Sequence, residues 1–65
     1  MKHYIIKIDT GNGWKYINTR QNDVIKIVDE RRNATEYTSW TKVARAMARA
    51  LRSFQGCEVS VHEIE

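Results

Sequence analysis

The sequence predicts an α+β fold: one two-layer domain, ββ(β)αβ, with a mostly antiparallel sheet and one amphipathic helix packed on one face. Three observations predict it. Short runs of β-branched and aromatic residues occupy the first half and the extreme end. A glycine-rich turn separates the first two runs. A single stretch between Trp40 and Phe54 repeats its apolar residues at steps of three and four.

Residues 3–8 read as the first strand. Tyr4, Ile6 and Ile8 share one face; His3, Ile5 and Lys7 share the other. Asp9-Thr10-Gly11-Asn12-Gly13 then reads as a hairpin turn, with Asn12 and Gly13 both suited to positive φ. Trp14 to Asn18 gives the second strand. A three-residue loop, Gly11 to Gly13, would set Tyr16 opposite Ile8 and Trp14 opposite Thr10. Ile6, Ile8, Trp14 and Tyr16 would then share the inner face. A two-residue loop would pair Ile8 with Ile17 and turn the aromatics outward. The first register is preferred here, because a slip of one residue exchanges the buried set.

Asn18 to Asp23 is polar and reads as a turn. Val24 to Val28 reads as a third strand, and Asp29 to Asn33 as a charged, exposed loop. Ala34 to Tyr37 could extend the sheet briefly. Thr38 or Ser39 can cap the helix that follows. Gly56 stands where a left-handed residue ends a helix. The expected packing residues of the helix are Trp40, Val43, Met47, Leu51 and Phe54, with Ala44 and Ala50 on the same stripe. Cys57 to Ile64 makes the last strand, which the helix allows to return beside the first. The sheet's other face would meet water through His3, Lys7, Lys15, Lys26, Ser60 and His62, with Ile5 and Ile17 among them.

Size and composition narrow the function. With 65 residues the chain is one domain, residues 1–65. A chain of this size buries only roughly 60 % of its unfolded surface, leaving little room for a deep cleft. Cys57 is the lone cysteine and cannot form an internal disulfide, so a reducing cytoplasm is expected. The longest apolar run near the start, Tyr4-Ile5-Ile6, is too short for a membrane span, so no membrane partner is expected. The net charge is +3, and charged residues make up 29 % of the chain. That composition suits a folded globule with a mild preference for acidic partners.

The clearest functional feature lies on the helix. Lys42, Arg45, Arg49 and Arg52 are spaced by three, four and three. They occupy an arc of about 80°, roughly opposite the apolar stripe. No acid interrupts them, and arginine offers a planar fork to carboxylate or phosphate. A solubilising helix face is the plain alternative.

Other features point less far. Tyr4, Trp14, Tyr16, Tyr37 and Trp40 fall at inward or boundary positions and are expected in the core rather than stacked on bases. His3, His62 and Glu58 could meet on neighbouring strands, but their spacing is not that of a zinc site. Cys57 follows the helix C-terminus, whereas thiolates are favoured at N-termini, so it reads as a small buried hydrophobe. No catalytic set, phosphate-binding loop or cofactor motif assembles, so neither enzyme activity nor a cofactor is expected.

In size, in its Gly11-Asn12-Gly13 hairpin and in its lone helix, the chain resembles small inhibitor proteins of phages and mobile elements, of the anti-CRISPR kind. The resemblance is one of general form and carries no site residues. It implies a non-catalytic protein-binding module that inhibits a host defence or nucleoprotein complex. The partner would be a protein or nucleoprotein complex with an acidic surface, and nucleic acid is the alternative partner. The chain itself would be a monomer or a homodimer.

Overall fold

The computed structural model describes residues 2–19 and 24–64. Four strands and one helix follow in the order β1 (His3–Asp9), β2 (Trp14–Asn18), β3 (Lys26–Val28), α1 (Trp40–Ser53) and β4 (Glu58–Ile64). The strands form one sheet in the order β3-β2-β1-β4, and every neighbouring pair is antiparallel. The last strand does return beside the first, so β1 and β2 are central and β3 and β4 are edges.

The hairpin register differs from the expected one. Asp9 pairs with Trp14, Ile8 with Lys15 and Lys7 with Tyr16. The connection therefore has four residues, Thr10 to Gly13. Positive φ falls on Gly11 (101°) and Gly13 (103°), not on Asn12. The Asp9 carboxylate accepts a hydrogen bond from the Gly11 N–H at 2.8 Å, which closes the first half of the turn. With this register Ile17, not Tyr16, joins Ile6 and Ile8 on the helix side, and all three are fully buried. Trp14 and Tyr16 point to the other face. The reason is one of fit. A β-branched aliphatic packs wholly inside a thin two-layer core, whereas the rings of Trp and Tyr carry polar edges that stay wet at little cost.

The core joins Ile6, Ile8 and Ile17 to Val43, Ala46 and Ala50 of the helix, with Tyr37 at its margin. Ile27, Val59, Val61, Met47 and Phe54 pack around it. Each buried Ile or Val contributes about 1.5–3 kcal/mol relative to exposure. Two residues expected against the sheet are not there: Trp40 is 61 % exposed and Leu51 46 %. Alanines at 44, 46, 48 and 50 make the apolar arc of the helix broader than the sheet can cover. The helix rotates to seat Val43, Ala46 and Ala50, whose small side chains let its backbone approach closely. Trp40 rests edge-on against Tyr4, with ring centroids 5.6 Å apart.

Of the two caps the sequence allows, Thr38 and Ser39, the helix uses the second. Ser39 is the N-cap, and its hydroxyl accepts from the Lys42 N–H at 3.2 Å. Gly56 has φ +87° just past the end. The third strand is shorter than expected, and Val24 lies outside it, exposed. Most of the turn expected before it, 20–23, lies outside the described residues. The loop after β3 contains a 3-10 turn, Arg31–Asn33. From there the chain returns to the sheet. Thr35 N–H bonds the Ile17 carbonyl, and Tyr37 exchanges two hydrogen bonds of 2.8 Å with Tyr4. The brief sheet extension at Tyr37 is thus present, wedged where β2 diverges from β1.

The second face of the sheet carries no helix, yet Ile5 on it is 1 % exposed. Asn18, on the same face of β2 as Tyr16, donates from Nδ2 to the Asn33 carbonyl, so the return loop lies against this face. Ala34, also buried, belongs to that loop.

The observed register makes a direct prediction. Ile17→Ala should destabilise the domain by about 2–5 kcal/mol in urea unfolding. Trp14→Ala should cost well under half as much, whereas the three-residue loop would reverse that order.

Candidate basic groove

The helix sits over β1 and β4, and this places its two flanks differently. One flank looks across the uncovered part of the sheet toward the end of β2. There an open groove of about 440 Å³ is lined by Thr19, Tyr37, Lys42, Arg45, Ala46 and Arg49. Three of the four cations read from the sequence are therefore gathered along one wall. Arg52, one turn farther, is exposed but does not line the groove.

The opposing wall is polar and anchored. The Tyr37 hydroxyl and the Thr19 hydroxyl share a hydrogen bond. Thr19 N–H also donates to the Thr35 hydroxyl at 2.8 Å. Thr19 carries no signal in the sequence, and Tyr37 stands there only among the aromatics expected in the core. Tyr37 was read as core, which it is at 9 % exposure, and its role as a wall depends on a long-range pairing with Tyr4.

Among the described residues the helix cations have no carboxylate partner. Lys2, Lys15 and Arg32 have carboxylate partners in Glu63, Asp29 and Glu30, whereas Lys7, Lys26 and Arg31, like the helix cations, have none among the described residues. Among the described residues no carboxylate pairs with Lys42, Arg45, Arg49 or Arg52. The helix Trp40–Ser53 contains four cations and no acid. Lys42 stands at the third helical position, where a capping box would carry Glu or Gln. A cation in the first turn opposes the helix dipole, and Arg45 and Arg49 repel each other across one turn. These interactions add nothing to helix stability, although four exposed cations do keep this face in water. An anion in the groove would relieve both conflicts.

The remaining candidates fall elsewhere. His3 and His62 lie on one face at diagonal positions of neighbouring strands, but His3 Nδ1 is held by Glu36 at 3.2 Å. Among the described residues no three His, Cys, Asp or Glu side chains gather as a metal cage. Cys57 is half-buried and packs against the core. The aromatics do not all enter the core as expected. Trp14 and Trp40 are at least half exposed, Trp14 on the far face of the sheet and Trp40 on the opposite helix flank. No helix among the described residues is long and apolar enough to cross a membrane.

No family model, no curated protein and no solved structure matches this chain.

Among the described residues the groove cations hold no carboxylate partner, so their removal is expected to cost the fold little. Arg45→Ala combined with Arg49→Ala should leave stability within about 0.5 kcal/mol of the parent, or slightly above it as the repulsion is removed. Thermal melts by circular dichroism would show this. A large drop would mean that the arginines support the fold.

Proposed function

We propose that this chain is a non-catalytic binding module that docks an acidic surface of a protein or nucleoprotein complex on its basic helix flank, acting as a small cytoplasmic inhibitor of the anti-CRISPR kind. The observation that carries the reading is the row Lys42, Arg45 and Arg49, unpaired and facing one groove. Arginine forks in such a row bind carboxylates bidentately, and the hydroxyls of the opposite wall can add hydrogen bonds.

The disposition of aromatics favours a protein partner over single-stranded nucleic acid. Stacking binders interleave cations with exposed rings on one surface. Here the two exposed tryptophans lie off the cationic flank, and Tyr37 is too buried to stack on a base. The charge balance points the same way. The net charge is only +3, and Glu58 and Glu63 give the last strand negative charge. Duplex phosphates remain the second reading, favoured by the linear run of cations along the helix, and they predict steep salt dependence.

The test is a fluorescence titration with labelled single- and double-stranded DNA, RNA and an acidic polypeptide, poly-glutamate, at low and physiological salt. The expected result is binding of the acidic polypeptide that weakens at least tenfold in the Arg45→Ala/Arg49→Ala variant. Nucleic acid should bind weakly and be lost at physiological salt. Tight nucleic-acid binding that survives that salt and needs the two arginines would replace the proposal with the second reading. Binding that ignores both arginines would remove the flank as the contact surface.

A further inference from the structure

We propose that a second copy of this chain pairs with the β4 edge, making a two-fold dimer whose helices also touch through the flank opposite the basic groove. This goes beyond the binding function above and uses the other side of the molecule.

The edge itself supplies the first argument. Both backbone groups of Tyr4 bond Tyr37 on the β2 side of β1. In an antiparallel ladder such directions alternate, so His3, Ile5, Lys7 and Asp9 are the residues that bond β4. Their partners Ile64, His62, Ser60 and Glu58 are thereby satisfied. Val59, Val61 and Glu63 point their N–H and C=O groups away from the sheet. Seven residues long, β4 is the longer of the two edges, and a bare edge is a template for pairing.

The second argument is self-complementarity. With the two-fold axis at Val61, Val61 meets Val61 of the second copy, Val59 meets Glu63, Ser60 meets His62, and Glu58 meets Ile64. Every outward group finds a partner, the whole strand is used, and no like charges are opposed. The axis stands perpendicular to the sheet, so both helices lie on the same side. The contact is closed and isologous.

The third argument is the helix. Strands are about 4.8 Å apart, and α1 sits over β1 and β4. The two helix axes would then run roughly 10 Å from one another, which is a packing distance for helices. The flanks that meet are free of charge. Trp40, Ala44, Met47, Ala48 and Leu51 form this side, with Trp40 61 % and Leu51 46 % exposed and the alanines permitting close approach. The apolar arc that the sheet does not cover is thus the arc a second copy would cover, and the two basic grooves remain open at the dimer's outer sides.

Sedimentation velocity at high micromolar concentration, compared with Val61→Pro and Leu51→Glu, tests this. Val61→Pro deletes an outward N–H and spares the bonds to β1, so an edge position tolerates it. The parent should sediment at twice the 7.6 kDa chain mass, and each variant at the monomer mass. In hydrogen exchange the amides of Val59, Val61 and Glu63 should be protected in the parent and unprotected in Leu51→Glu. A monomeric parent, a larger assembly, or a dimer that survives Leu51→Glu and leaves those three amides exchanging freely would overturn the proposal. Should Val61→Pro fail to fold, Leu51→Glu and the exchange pattern decide alone.

Discussion

The packing of Ile6, Ile8 and Ile17 against Val43, Ala46 and Ala50 determines where every other part of the molecule can lie. Three branched side chains on two adjacent strands make a small apolar platform. Only a helix face built from small residues can sit down on it closely. A 65-residue chain of one sheet and one helix has no third layer to offer, so this contact between its two layers carries most of the hydrophobic stabilisation. Once the hairpin settles with Ile17 inward, Lys15 and Asp29 pair at the rim, and the two rings of Trp14 and Tyr16 go to the far face. Lys7 then reaches over the Tyr16 ring, 5.8 Å from its centre.

Placement of the helix over β1 and β4 follows from the same contact and divides the helix into three sides. The inner side is small and apolar. The side toward β2 is cationic and walls a groove. The side toward the β4 edge is apolar and open. A domain this thin has little room for a deep cleft, so its polar and apolar side chains are displayed on flanks. The cationic side carries a lysine at the third helical position, arginines one turn apart and, among the described residues, no neutralising carboxylate.

Much of this was legible in the residues. The alternation in β1, the Ser39 cap, the Gly56 stop and the row Lys42, Arg45, Arg49 and Arg52 are local patterns, and local patterns survive folding. The hairpin register was not legible, because Thr10-Gly11-Asn12-Gly13 supports several loop lengths, and the choice lies in whether Ile17 or Tyr16 fits the core. Nor was the rotation of the helix. With alanine at four of its positions, hydrophobicity alone leaves the centre of the buried stripe undetermined, and Trp40 and Leu51 were assigned inward for that reason. The groove's second wall could not be read at all, since Thr19 and Tyr37 meet only after the loop beyond β3 returns to pair with Tyr4.

The central claim is that the helix has a cationic flank for a partner and an apolar flank that serves a different contact. Amide chemical-shift mapping of the ¹⁵N-labelled protein with poly-glutamate tests it most directly. The account predicts perturbations confined to Thr19, Tyr37, Lys42, Arg45 and Arg49, with Trp40, Leu51 and the β4 edge silent. Shifts centred on Trp40, Leu51 and β4, or spread evenly over every lysine and arginine, would contradict it.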